Sequence, residues 1–147
     1  MKSSMSPSLV LVLALIAAPF ALAARQSEAP GAYQPKFAGD KARSEAEFSA
    51  LGFMRTVVSA EKAYHRKHNA YAGSLAALVG SVSFTRRMAN PDRGDYHVAY
   101  KAKPDGYALL LIPRQFDAAH RSFYVDESGE FHGEQNRPAT PDSPPLN

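Results

Sequence analysis

Apolar and charged positions recur with a helical period over residues 44–67. Apolar side chains return every three or four positions, with charged and small residues between them. Ser44 followed by Glu47 matches a capping box, and the basic residues at 65–68 suit the negative end of a helix dipole. Asn69 is a plausible stop. The pattern predicts one long amphipathic helix over Ser44–Lys67.

The period shortens to two residues in the second half of the chain. After a short helix predicted at Ser74–Leu78, Tyr96–Lys101 alternates apolar and polar positions like a half-buried strand. Tyr107–Ile112 is apolar enough for a central strand. Arg121–Val125 predicts a third strand, and Glu130–His132 a short fourth.

Turn residues separate these predicted strands. Pro104-Asp105-Gly106 predicts a turn in which Gly106 adopts a positive φ. An irregular connection over residues 79–94 contains a second turn cluster at 90–94. The order of elements predicts an α+β fold, in which one long N-terminal amphipathic helix packs on a 3–4-stranded antiparallel meander.

Residues 1–23 have the features of a secretory signal peptide. Lys2 precedes a short apolar run, and Ala21-Leu22-Ala23 provides small residues at the −3 and −1 positions of a cleavage site. The alternative is a retained membrane anchor, although this apolar run is short of the roughly 20 residues of a spanning helix. We therefore expect an exported protein, periplasmic or extracellular, without a membrane span after cleavage.

The remaining chain divides into three parts. Residues 24–42 read as a flexible leader, 43–133 as the folded domain, and 134–147 as a Pro-rich, poorly packed C-terminal tail.

The composition narrows the possible functions. The 147 residues include 17 Lys and Arg, 14 Asp and Glu, and no Cys. The absence of Cys excludes disulfides, thiolate zinc sites and cysteine nucleophiles. The small positive net charge, together with the predicted export, argues against a nucleic-acid partner.

Three stretches resemble the globular domains of type IV pilins and pseudopilins. Met54–Tyr64 resembles a helical segment in which an Arg-Thr pair is followed by Ala, Glu and Tyr. Asn69–Leu78 is similar to the "gYa-sLaaL" segment that comes next in such domains. Arg121–Gly129 resembles their "r-F-y-v-DesG" hairpin, and the tail is also similar. The resemblance covers about residues 43–146 and implies a pilin-like head.

One departure from the family concerns its N-terminal motif. Filament-forming pilins carry a prepilin-peptidase site directly before a continuous apolar helix, and no such motif matches here. The resemblance therefore implies an exported, non-enzymatic domain without a cofactor, acting by protein–protein contact as an accessory to a pilus or type II secretion-type assembly. The exposed stripe of the helix or an edge strand would make the contact. The alternatives are a small periplasmic ligand-binding module or enzyme, and a membrane-anchored atypical pilin subunit.

The histidines are the first candidates for a metal or ligand site. His65 and His68 are spaced to share a helix face, but the neighbouring Arg66 and Lys67 would repel a cation, so we predict no metal. Further ligands would have to come from the remaining histidines, which are His97, His120 and His132. The ligand-binding alternative would need a pocket that gathers His97, His120 and nearby carboxylates.

The strand half contains residues that could form a calcium site or a hydrolase triad. The acidic hairpin, made of Asp126, Glu127 and Glu130, would be the place for calcium, but it lacks an EF-hand pattern. A hydrolase triad would combine Ser122 or Ser128 with His120 and Asp117. No G-x-S-x-G elbow supports it, so we predict no catalytic residues.

Aromatic residues concentrate in the strand half. About half should fill the core, and the others would form an exposed binding face. We expect Tyr64, Tyr71 and Tyr124 to act as structural anchors.

Overall fold

A computed structural model describes residues 32–146 of the chain. The predicted signal peptide and residues 24–31 of the predicted leader lie outside the described residues. The elements in chain order are the helix α1 (Glu45–His68), two 3-10 helices (Leu75–Leu78 and Arg86–Ala89), and the strands β1 (Asp92–Arg93), β2 (Tyr96–Lys103), β3 (Gly106–Pro113), β4 (Ser122–Asp126) and β5 (His132–Glu134). The strands form one antiparallel sheet in the order β1-β2-β3-β4-β5. The α+β class is confirmed, with five strands instead of three or four.

Helix α1 begins and ends where its capping residues predicted. The Ser44 side chain accepts a hydrogen bond from the Glu47 backbone N–H at 3.1 Å. Asn69 adopts a left-handed conformation with φ 53°, and its N–H donates to the His65 carbonyl at 2.8 Å. Both caps satisfy backbone groups that a helix end leaves without a partner.

Gly106 leaves space for a neighbouring side chain and does not supply the predicted positive φ. It opens β3 opposite Lys103, and it is absent from the residues of the described chain that have positive φ. A Cβ atom at this position would lie 2.3 Å from Glu127 Oε2. The glycine thus makes room for a carboxylate whose Oε2 accepts a hydrogen bond from the Tyr107 N–H.

The strand boundaries differ from prediction at both ends of the sheet. The two-residue strand β1 falls inside the predicted turn cluster and pairs only with the first two residues of β2. The last strand starts at His132, whereas it was predicted at Glu130–His132. The cause is the turn before it, in which the Gly129 N–H donates to the Asp126 carbonyl, so that Tyr124 pairs with His132.

The described part of the predicted flexible leader is ordered. Asp40 accepts hydrogen bonds from the backbone N–H groups of Lys36 and Ala42, at 2.9 and 3.0 Å. Ala42 is buried, and the ring of Tyr33 lies 6.4 Å from that of Phe48. Residues 33–42, predicted as part of the flexible leader, thus make specific contacts, because Asp40 bonds to two backbone N–H groups and the rings of Tyr33 and Phe37 lie near Phe48 of α1.

The C-terminal tail packs on the rest of the domain, whereas its composition predicted a poorly packed segment. Ala139 and Ser143 are buried. The Pro144 carbonyl accepts a hydrogen bond from the Gly133 N–H at 2.9 Å, and the Leu146 N–H donates to the Phe131 carbonyl at 2.8 Å. Proline favours extended backbone and lacks an N–H but keeps its carbonyl, so a Pro-rich segment can still bond to the edge of a sheet.

The hydrophobic core lies between α1 and one face of the sheet. The helix contributes a wide buried face, β2 and β3 contribute mainly alternate residues, and β4 is buried over its first four residues. The central buried side chains are Leu51, Met54, Val57, Val98, Leu109, Leu111, Phe123 and Val125.

Candidate functional site

The outer edge of β2 has backbone groups that face away from the sheet. The Val98 N–H points away from β3 and donates to the Pro91 carbonyl at 2.7 Å. Because N–H directions alternate along a strand, the N–H groups of Tyr100 and Ala102 point to the same side. Neither group donates a hydrogen bond to an acceptor within residues 32–146. Ala102 is exposed and Tyr100 half-buried, so this edge offers a place for another strand.

The opposite edge of the sheet is already occupied by the chain itself. Residues 144–146 bond to β5 and to the residue before it, and Pro145 forms a bridge with His132. On the β2 side, strand β1 stops after Arg93, and it covers only Tyr96 and His97. Six of the eight β2 residues, 98–103, are therefore not paired with β1, although the Val98 N–H bonds to the Pro91 carbonyl.

The four residues weighed for a hydrolase triad do not come together. His120 Nδ1 lies 2.7 Å from Asp117 Oδ1, so the structure forms this pair. Ser122 Oγ instead donates to the Arg137 carbonyl at 2.6 Å. Ser128 lies in the hairpin turn, where its Oγ accepts from the Glu130 N–H. The structure gives neither serine a hydrogen bond to His120.

The histidines of α1 face different aromatic rings. His65 lies 4.4 Å from Tyr71 and His68 lies 4.2 Å from Tyr64, measured between ring centroids. Tyr71 also contacts Tyr107 at 5.6 Å. Over the described residues, no group of three or more His, Asp or Glu side chains is placed to hold a metal ion.

The acidic hairpin is neutralised by groups of the protein. Lys103 Nζ lies 3.5 Å from Glu127 Oε2 and 3.9 Å from Asp126 Oδ2. Asp126 also accepts hydrogen bonds from the Tyr124 hydroxyl and the Ser128 N–H, both at 3.0 Å. These donors hold the pKa of Asp126 below its usual value against the opposing effect of burial. Glu130 lies 4.0 Å from His132.

A cleft of about 580 Å³ lies between the start of α1 and the β1–β2 turn. Asp92 and Asp95 line it, but His97 and His120 do not. Each histidine contacts one of these carboxylates, at 3.5 and 3.6 Å. The pocket that the ligand-binding alternative required is therefore not formed by the predicted histidines.

The sequence did not reveal an ion pair that is buried beside this cleft. The Glu47 carboxylate is fully buried, and it accepts hydrogen bonds from Arg121 Nε at 3.0 Å and Nη2 at 2.8 Å. It also accepts from the backbone N–H groups of Arg121 and Arg43. The pair joins α1 to the start of β4. The capping-box spacing identified Glu47, but no local signal identified its partner 74 residues away.

A second buried carboxylate, Glu61, joins α1 to β2. Glu61 Oε1 lies 2.5 Å from the Tyr100 hydroxyl, which also lies 2.7 Å from the Ala72 carbonyl. Glu61 Oε2 accepts a hydrogen bond from the Ala72 N–H at 3.1 Å. A hydroxyl has one proton, so Tyr100 cannot donate to both oxygens. A protonated Glu61 that donates to Tyr100, while Tyr100 donates to Ala72, satisfies all three contacts.

Burial raises the pKa of Glu61, although its hydrogen bonds and the nearby His65 oppose the rise. The pKa of Glu61 is therefore higher in the folded state than in the unfolded state. Protonation of its carboxyl stabilises the fold, and this stabilisation is fully present when the pH is below the unfolded-state pKa. This stabilisation is lost as the pH rises through the folded-state pKa.

We expect the stability of Glu61→Gln relative to wild type to increase as the pH rises from about 4 to 8. The glutamine amide donates to Tyr100 as the protonated acid does, but it does not titrate. Urea unfolding of both proteins across this pH range measures the difference. Exposed Glu130→Gln is the control and should leave the pH dependence unchanged. Parallel stability curves for wild type and Glu61→Gln would contradict a protonated Glu61.

The predicted exposed aromatic face is wrong. The aromatic residues of the strand half are buried or half-buried, because Tyr96, Tyr107 and Phe123 lie in the core and Tyr100 and Phe131 pack against it. The large hydrophobic residues that are exposed within residues 32–146 lie elsewhere, and they are Phe37, Val79 and Val82. Tyr124 is buried, and the expected anchors Tyr64 and Tyr71 are half-buried.

No protein-family model, curated protein or solved structure matches this chain. Residues 32–146 contain no helix long and apolar enough to cross a membrane.

Proposed function

We propose that the chain is an exported pilin-like domain that acts by protein–protein contact, as an accessory to a pilus or secretion-type assembly. The observation that carries the proposal is the uncovered edge of β2. An extended segment of a partner protein adds to this edge as a further strand, with backbone hydrogen bonds to Tyr100 and Ala102.

The arrangement of elements supports the comparison with pilin heads. A long helix, an irregular connection and an antiparallel meander follow in the order of those domains, and the stretches that carry the resemblance fall on α1, on the first 3-10 helix and on β4. The buried polar groups support a contact function as well. Glu47 and Glu61 bond to protein groups and join elements of the fold.

The charge along the edge defines the chemistry of the partner segment. Lys101 is exposed and makes no ion pair within residues 32–146. It lies between the two outward N–H groups, so an added strand would place a side chain close to it. An acidic residue at that position of the partner would complement Lys101, whereas a basic residue would be repelled.

We expect Ala102→Pro to abolish this contact and leave the fold intact. Proline removes the outward N–H, and edge strands tolerate proline where the N–H faces away from the sheet. Ala102→Ser is the matched control because it keeps the N–H. Both variants should be exported as the wild type is, and both should have the melting temperature of the wild type in vitro. In cells deleted for the chain, Ala102→Ser should restore filament assembly or secretion, and Ala102→Pro should not.

The outcomes separate the two parts of the proposal. If deletion of the chain leaves filament number and secretion unchanged, the accessory role is wrong. If deletion impairs them but a folded Ala102→Pro restores them fully, the role stands and the β2 edge is not the contact surface.

A further inference from the structure

The turn after the first 3-10 helix presents an apolar side chain to solvent. Val82 is 66% exposed, and Val79 beside it is 39% exposed. The base of the turn is anchored by Leu78 and Phe84, which are both buried. Two hydrogen bonds close it, from the Ser81 N–H to the Leu78 carbonyl at 2.8 Å and from the Gly80 N–H to the Phe84 carbonyl at 3.0 Å. The tip is held in place by this base.

The backbone at the tip is strained. Val82 has φ 52°, a region that is unusual for any residue with a side chain and an outlier for a β-branched one. It occupies the first central position of a turn closed by the Phe84 N–H and the Ser81 carbonyl at 3.0 Å, where positive φ favours glycine. Because the Val82 side chain is exposed, it makes few packing contacts that would offset this strain. Strain of this kind points to a role outside the fold.

The chain around the turn carries positive charge alone. From Lys62 to Pro91 the sequence has five Lys and Arg residues and no Asp or Glu. Arg86 and Arg87 come shortly after the tip, are exposed, and form no ion pair within residues 32–146. Arg86 is four positions after Val82, so their Cα atoms lie at most about 14 Å apart.

An apolar tip flanked by unpaired arginines is suited to an anionic lipid surface. Apolar side chains enter the boundary between headgroups and acyl chains, while basic residues bind the anionic headgroups. We propose that the turn formed by Val79–Phe84, together with Arg86 and Arg87, docks the protein reversibly on anionic membranes. This site is separate from the β2 edge and does not depend on the proposed partner contact.

Flotation of the purified protein with lipid vesicles tests the docking. We expect binding to vesicles of phosphatidylglycerol in phosphatidylcholine, weaker binding at high salt, and none to phosphatidylcholine alone. Val82→Gly removes the apolar group and relieves the positive φ, so it should weaken binding about tenfold and melt no lower than wild type. Val82→Thr keeps the shape and should also weaken binding. Arg86→Gln and Arg87→Gln should each weaken it about fivefold.

Matched controls separate this site from general electrostatic attraction. Val82→Leu keeps an apolar tip and should bind like wild type. Exposed Arg137→Gln makes the same change of charge as the arginine variants elsewhere on the surface, and should leave binding unchanged. The proposal is overturned if anionic vesicles fail to bind, if folded Val82→Gly and Val82→Thr bind like wild type, or if Arg137→Gln weakens binding as much as Arg87→Gln. Val82-dependent binding to a protein but not to vesicles would also overturn it.

Discussion

Replacing Arg121 by methionine is expected to lower the free energy of unfolding by about 3–5 kcal/mol, because it leaves the charge of Glu47 buried without its partner. Two side-chain nitrogens of Arg121 bond to Glu47, and Nη2 also donates to the Lys41 carbonyl at 2.6 Å. The substitution removes all three bonds and leaves only the backbone N–H donors.

The double substitution Glu47→Met with Arg121→Met tests whether the cost comes from the unpaired charge. Replacing both members of a buried pair by apolar residues of similar volume is often nearly neutral. We expect the double variant to recover most of the stability lost in Arg121→Met, with a coupling energy measured by a double-mutant cycle in urea. Exposed Arg137→Met provides the control for removing an arginine. A loss of less than about 1 kcal/mol in Arg121→Met, or no recovery in the double variant, would contradict this role.

The sequence predicted α1 well because its signals are local. Ser44 and Asn69 act on backbone groups within a few residues, and the apolar period marks the buried face directly. The partner of Glu47 could not be found in this way. Arg121 lies at the start of β4, and its position depends on how the sheet packs on the helix.

The composition of the two segments that flank the predicted domain did not reveal the contacts that they make. The prolines at 138–145 suggested loose chain, yet the Pro144 carbonyl and the Leu146 N–H bond to the edge of the sheet. Asp40 organises the turn before α1 through two backbone N–H groups, and nothing in the scattered charges of that segment singled it out.

The candidate contact surface was only partly predictable. An edge strand was expected, but which edge stays uncovered depends on β1 stopping at Arg93 and on the tail bonding beside β5. Val82 carried no sequence signal at all. A valine followed by serine in an irregular connection does not reveal a positive φ, which appears once Leu78 and Phe84 are fixed in the core.

Phe123→Ala is expected to destabilise the protein by about 3–5 kcal/mol, because the ring is fully buried at the centre of the core. The Phe123 ring lies 6.0 Å from that of Tyr96 and 5.4 Å from the Arg121 guanidinium. It pairs with Leu111 on one side and with Gly133, which has no side chain, on the other. The alanine would leave a cavity that reaches the buried ion pair.

Thermal and urea unfolding of Phe123→Ala would measure this loss against Phe37→Ala. Phe37 is 48% exposed, and the same truncation there should cost under about 1 kcal/mol. If Arg121 depends on the Phe123 ring for its position, combining Phe123→Ala with Arg121→Met should cost less than the sum of the two single losses. Equal losses for Phe123→Ala and Phe37→Ala would contradict the placement of β4 in the core. Additive losses would leave that placement intact and show that the ion pair and the aromatic core stabilise the fold independently.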